Sequence, residues 1–219
     1  MVKNIIFDFD GVLVDSEILF VKSVGRYFLS KGYDFEEKEF YKMAGTKTVD
    51  VVEDLSKEFN IKDKEVFFND IMEISKNLYL KELEPIKGVE NFLKKINCNK
   101  LIGSNNIKSR IIEGLEKINL INFFDQNMIF SFDIVGVPKP NPDIYLKAIE
   151  TAKINKNECI IIEDSVVGTQ AGVAAGVKVI CITAGGHWHE DRSDKELLDA
   201  GAYKVVKNYD TMLSILNEL

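Results

Sequence analysis

Asp8 and Asp10 stand one residue apart at the end of an apolar run, Asn4-Ile5-Ile6-Phe7, that reads as a buried strand stopped by Gly11. Side chains two apart on a strand leave from the same face, so these carboxylates converge on one spot and need a cation or a shared proton between them. Two further polar clusters close apolar runs in the same way: Ser104-Asn105-Asn106 after Leu101-Ile102, and Glu163-Asp164-Ser165 after Ile160-Ile161-Ile162. Lys139 lies in "GVPKPNPDIY", a loop leading to a helix. Together they offer four carboxylates, one lysine and two serine hydroxyls. Oxygen donors without a nearby His or Cys pair suit Mg²⁺, which prefers octahedral oxygen and keeps waters and a phosphate in its shell. A carboxylate can attack phosphorus to give an aspartyl-phosphate while a cation and a lysine screen the charges that meet. Phosphoryl transfer asks chiefly for positioning and charge stabilisation, and this set supplies both.

The elements that position these residues follow from the hydrophobic pattern. From about residue 86 onward, strand-like runs at 100–104, 128–131, 159–164, 177–183 and 203–206 alternate with helical segments near 88–97, 107–118, 142–153 and 166–175 and a last helix. Apolar runs not restricted to every second residue predict a parallel sheet covered on both faces, and the first strand at 2–8 belongs to it. Between them the period changes. Ile18, Val21, Val24 and Phe28 recur at spacings of three and four, as do Val52, Leu55 and Phe59, then Phe67, Ile71, Ile74 and Leu78. The fold class predicted is α/β, a Rossmann-like parallel core of residues 1–15 and 85–219 with an inserted helical bundle at 16–84. Ligands of such sheets bind beyond the carboxyl ends of the strands, where the polar clusters fall.

Four stretches, "DFDGVLVDSE", "IGSN", "GVPKPNPDIY" and "IEDSVVGTQAGVAAG", resemble in order the four motifs of the haloacid dehalogenase superfamily, across residues 8 to 176. The resemblance implies that Asp8 is the nucleophile and Asp10 the general acid and then base. It implies Mg²⁺ held by Asp8, the backbone carbonyl of Asp10 and Asp164, with Glu163 at or just outside that shell. Ser104 and Lys139 would bind the transferring phosphoryl group, with Asn105 as a further substrate contact. Residues 16–84 would form a mobile cap, and "AGTKTVD" at 44–50 corresponds to its substrate-reading loop, with Lys47 the candidate contact.

True haloacid dehalogenases lack the second aspartate, so the resemblance points to phosphate esters. The chain is similar to the β-phosphoglucomutase subgroup over nearly its whole length, with departures in the cap. Phe20 stands where the mutase has a histidine, Ala44 where it has a lysine, and Thr48 or Lys47 where it has an arginine. A mutase needs charge-assisted donors for a second phosphate. The expectation is therefore a Mg²⁺-dependent phosphatase acting on a small phosphorylated sugar, sugar acid or polyol. A sugar-phosphate mutase is the alternative, and a phosphoaspartate switch or a non-catalytic phosphosugar binder is the reading from other classes.

Other features receive plainer readings. Gly168, Gly172 and Gly176 recur at helical spacing and read as close packing on the sheet with a C-terminal stop, and Ser165 or Asp164 can cap that helix. His187 and His189 in "GGHWHEDR" read as a solvated loop at the rim of the site. Cys98, Cys159 and Cys181 are widely spaced and read as reduced packing residues. With 28 basic and 35 acidic residues the net charge is -7, which argues against nucleic acid or an anionic membrane as partner. No apolar run approaches the roughly 20 residues of a membrane span, and a cytoplasmic monomer is expected.

Overall fold

The computed structural model describes residues 1–35, 37–43, 48–189 and 192–219, with main chain alone at 37, 38 and 42. The described residues form one six-stranded parallel sheet. Asn4–Phe7 (β1) is buried along its whole length because it lies inside this sheet, between Asn99–Ser104 (β2) and Cys159–Glu163 (β4). Ile6 sits level with Leu101 on one side and Ile161 on the other. Ile129–Ser131 (β3) pairs outside β2, while Lys178–Ile182 (β5) and Lys204–Val206 (β6) extend the sheet beyond β4. The order β3-β2-β1-β4-β5-β6 reverses direction at β1 and β4, so the crevice of the sheet opens beyond the carboxyl ends of these two strands.

Both faces are apolar, which is why the strands read as continuous hydrophobic runs. Ile5, Phe7, Ile102, Ile160 and Ile162 pack with Phe92 of Val89–Lys95 (α4), Leu115 of Lys108–Lys117 (α5) and Met212 of Tyr209–Glu218 (α10). On the opposite face Ile6, Leu101, Ile161 and Val179 meet Tyr145 of Asp143–Thr151 (α7), Ala171 of Val166–Ala174 (α8) and Leu197 of Lys195–Asp199 (α9). Burying each such side chain stabilises the fold by about 1.5–3 kcal/mol. The short helices Phe132–Val135 (α6) and α9 escape the periodic pattern because each spans little more than one turn.

The inserted helices Glu17–Ser30 (α1), Thr48–Glu58 (α2) and Lys64–Glu82 (α3), with a 3₁₀ stretch at Glu37–Met43, gather around a cluster of their own. The predicted stripes meet there: Val24, Phe28, Val52, Leu55, Phe67 and Ile71 are buried together, and the Phe28 ring lies 4.4 Å from that of Phe59 and 5.6 Å from that of Phe40. Leu78, with Leu19 and Tyr79, joins the cluster under the sheet instead, so the ends of α1 and α3 rest on the α/β part. The two connecting strands run side by side, with Asp15 N donating to Glu84 O at 3.0 Å and Ile86 N to Leu13 O at 3.0 Å. Among the described residues no helix is long and apolar enough to cross a membrane.

Candidate active site

The chain leaves β1 through a tight loop in which Gly11 N donates to Val14 O at 2.8 Å and Leu13 N to Phe9 O at 2.9 Å. Gly11 has φ +71, and a Cβ there would overlap the Asp164 carboxylate. Glycine is required both by the backbone and by the close approach. The loop leaves Asp10 with both oxygens engaged: Oδ1 accepts from Ser16 Oγ at 2.6 Å and Oδ2 from Asn106 Nδ2 at 3.2 Å. Asp8 N donates to Ile162 O at 2.9 Å, which aligns the end of β1 with that of β4.

Lys139 reaches in from its loop and puts Nζ 2.6 Å from Asp8 Oδ1 and 2.6 Å from Glu163 Oε1, with its side chain 4% exposed. Asn105 holds that loop, its Oδ1 accepting from Lys139 N at 2.8 Å. The carboxylate of Glu163 is saturated. Oε1 also accepts from Tyr145 Oη at 2.7 Å, and Oε2 accepts from Asp164 N at 3.0 Å and from Ser165 N and Oγ at 3.2 and 3.0 Å. Ser165 Oγ in turn caps α8 by accepting from Gly168 N at 3.0 Å. Gly168 does more than pack on the sheet, because a Cβ there would collide with the Glu163 carboxylate. Gly172 does press against Val179, and Gly176, at φ +75, follows the end of α8, both as read from sequence.

Asp8, Glu163 and Asp164 each bring a carboxylate oxygen within 4.8 Å of the others, all buried. Burial pushes Asp8 and Asp164 well above the ordinary carboxylate range. Lys139 pulls Asp8 back, whereas Glu163 drives Asp164 further up. For Glu163 burial acts upward too, but Lys139 and the hydrogen bonds from Tyr145 and Asp164 N outweigh it and hold the group below its usual value. Burial likewise opposes the Lys139 ammonium, and Asp8 and Glu163 overcome it and raise its pKa. One lysine among these carboxylates leaves Asp164 charged only at a cost, and hard oxygen donors so placed fit a divalent cation.

These groups open into a cavity of about 290 Å³ lined by Asp8, Asp10, Ser104, Asn105, Lys139 and Asp164. Glu163 lies beneath it, fully buried. Ser104, 1% exposed, accepts from Asn106 N at 3.0 Å. The expected residues are thus brought together, except Lys47, which falls outside the described residues. The reading of His187 as solvated is overturned: it is 2% exposed, and its Nε2 lies 2.9 Å from Asp164 Oδ2. The glycines before it allow this. A Cβ at Gly185 would come within 2.8 Å of the ring, and Gly186 N donates to both Asp15 carboxylate oxygens at 3.0 and 3.1 Å, drawing the loop inward. Burial pushes the imidazole pKa down to about 4, so the neutral ring donates to Asp164 through Nε2–H. Sequence reasoning passed over Ser16, Glu17, Asn106, Tyr145 and Arg192 as site residues. Ser16, Glu17 and Tyr145 lie inside the stretches "DFDGVLVDSE" and "GVPKPNPDIY" and Asn106 directly follows "IGSN", so these four carried a signal that Arg192 did not.

The profile of the haloacid dehalogenase-like hydrolases matches residues 5–182, which include Asp8, Asp10, Ser104, Lys139, Glu163 and Asp164. The chain belongs to this family. It is 30% identical over 221 residues to the phosphorylated carbohydrates phosphatase of Thermotoga maritima, covering 99% of each chain. To the 6-phosphogluconate phosphatase of Escherichia coli (strain K12) it is 27% identical over 189 residues, 85% of each chain. The solved haloacid dehalogenase family hydrolase of Deinococcus radiodurans R1, with bound phosphate and sodium, superposes at a TM-score of 0.85 and 26% identity over 99% of this chain and 96% of that one. The family and these relatives make the chain a phosphatase of the haloacid dehalogenase type, built on a parallel α/β fold.

Proposed function

We propose that this haloacid dehalogenase-like hydrolase is a Mg²⁺-dependent phosphatase that cleaves a small phosphorylated sugar, sugar acid or polyol through an aspartyl-phosphate on Asp8. The observation that carries the reading is Asp8 itself, a buried carboxylate held 2.6 Å from Lys139 beside Asp164 and opening into the cavity that Asp10 and Ser104 also line. A carboxylate oxygen of Asp8 attacks phosphorus, the bond to the leaving oxygen breaks, and Asp10 gives that oxygen its proton. Asp10 then takes a proton from a water whose oxygen attacks phosphorus, breaking the bond to Asp8 and releasing phosphate. Ser16 and Asn106 hold Asp10 for both transfers, and Lys139 and Ser104 bind the phosphoryl oxygens. Asp8, the Asp10 carbonyl and Asp164 would hold Mg²⁺, which when bound neutralises the nucleophile and polarises the phosphoryl group. Glu163, with its oxygens already hydrogen-bonded, fixes Lys139 rather than binding the metal.

Residues 16–84 act in this reading as the cap domain over a core of 1–15 and 85–219, closing on the substrate and excluding water. The names of the Thermotoga and Escherichia relatives support a phosphorylated carbohydrate as the substrate class. Phe20, half-buried against the helical cluster, offers no donor to a second phosphate and favours hydrolysis over a mutase. The test is phosphate release from a panel of phosphorylated sugars, sugar acids and polyols with Mg²⁺ or EDTA. Metal-dependent release is expected, and none from Asp8→Asn. Wild-type turnover in that variant overturns the nucleophile assignment, and isomerisation of an aldose 1-phosphate without phosphate release overturns hydrolysis.

A further inference from the structure

Arg192 lines the same cavity as Asp8 and Asp10, yet the two transfers above give it no task. Its guanidinium is fixed from two sides. Nε donates to Glu196 Oε1 at 2.7 Å, and the guanidinium carbon lies 3.9 Å from the centre of the Trp188 ring. Nη1 is shut off from solvent and has no hydrogen-bond partner among the described residues. The rest of the guanidinium borders the cavity, and a stacked, tethered guanidinium gives up little further freedom when a ligand pairs with it. Its charge also reaches Glu17 and Asp164, so it acts on the interior of the site.

We propose that Arg192, held between Trp188 and Glu196, forms a subsite for the carboxylate of a phosphorylated sugar acid, at the end of the substrate away from the transferring phosphoryl group. This rests on the phosphatase reading of Asp8. The charge balance selects the ligand. Among the described lining residues Asp8, Asp10, Glu17 and Asp164 are acidic, against Lys139 and Arg192, and Lys139 is already paired with Asp8 and Glu163. A second phosphate dianion would therefore meet Arg192 alone, with Nε already bonded to Glu196. A carboxylate carries a single charge that one guanidinium can match through its remaining N–H groups. Glu17, on the same cavity, repels further negative charge once it ionises.

The experiment compares kcat/KM on a six-carbon aldonate 6-phosphate and the corresponding alditol 6-phosphate, which differ only in the carboxylate, with p-nitrophenyl phosphate as a probe lacking both. Wild type is expected to favour the aldonate by about 10–100-fold, the range for a charge-assisted hydrogen bond. Arg192→Gln should shrink that ratio at least tenfold, and Arg192→Lys should keep part of it. If Arg192→Gln is inactive on both sugars, the ratio in Arg192→Lys decides. Hydrolysis of p-nitrophenyl phosphate without preference between the two sugars overturns the subsite and leaves the phosphatase standing. A ratio unchanged in the variants also overturns the subsite, as does a larger preference for the alditol 1,6-bisphosphate, which would assign Arg192 to a second phosphate. Failure to hydrolyse any of these esters overturns both readings.

Discussion

Burial and the neighbouring Glu163 both oppose the charge of Asp164, and His187 is the residue that holds its side chain. The Nε2–H bond of 2.9 Å fixes the Asp164 side chain, and in the metal role proposed for Asp164 such a partner would govern metal affinity. His187→Ala is expected to raise the Mg²⁺ concentration for half-maximal activity by about 10–100-fold and to weaken Mn²⁺ binding, read by electron paramagnetic resonance, to a similar extent. Unchanged binding would reduce the histidine to a packing residue. Glu17 gives a pH signature of a different kind. Burial, with Asp10 and Asp164 adding to it, raises its pKa from 4.5 to about 7. Between those values the folded chain keeps a proton that the unfolded chain has lost, so the contribution of Glu17 to stability falls as pH rises through the window. In EDTA, Glu17→Gln should match wild type near pH 5. It should exceed wild type at pH 8 by about 2 kcal/mol after discounting for partial exposure, several degrees in Tm. Melting curves of the two proteins that run parallel across this range would remove the strain assigned to Glu17.

α8 shows how an element can serve the site against its own propensity. Alanine is favoured over glycine inside a helix by about 1 kcal/mol, so Gly168→Ala would ordinarily stabilise. Here the added Cβ meets the Glu163 carboxylate, and Glu163 anchors Lys139. The variant is expected to lose about 1–3 kcal/mol in a denaturant titration and most of its turnover. A gain in stability would mean that Glu163 can give way. The same element marks the boundary of what sequence could tell. The strands and the residues that end them were legible, because apolar runs closed by polar clusters need only local pattern and a parallel sheet brings their carboxyl ends together. The role of Tyr145 was not, although it ends "GVPKPNPDIY": it falls within the buried stripe Ile144, Tyr145, Ala148 and Ile149 of α7, and nothing local distinguishes a tyrosine that reaches Glu163 from one that fills space. His187 and Arg192 were misread or passed over because "GGHWHEDR" has the composition of a solvated loop, and the inward turn at Gly186 depends on Asp15, far away in sequence.

At the scale of the whole molecule the helical insertion has a core of its own yet is seated on the sheet, and the balance between these two facts would govern its motion as the proposed cap. Val24, Phe28, Leu55 and Ile71 pack within the insertion, while Leu19, Leu78 and Tyr79 pack under the sheet. The connection between the two is narrow: adjacent strands joined by the Asp15–Glu84 and Leu13–Ile86 hydrogen bonds, with Asp15 also accepting from Gly186 N. As the cap proposed above, a unit with a preserved interior and a narrow paired connection would move as a body about that connection. Closure in the proposed cap role would bury the seam between α1, the end of α3 and the 183–189 loop and leave the sheet as it was. Hydrogen exchange with Mg²⁺ and inorganic phosphate should therefore slow in peptides covering Glu17–Val24, Leu78–Leu83 and 183–189, with β1 and β4 unaltered because they are buried already. Protection confined to peptides around Asp8, Ser104 and Lys139, with none in α1 or α3, would mean that phosphate binds without moving the insertion. Substrate selection would then rest on the core loops, Arg192 among them.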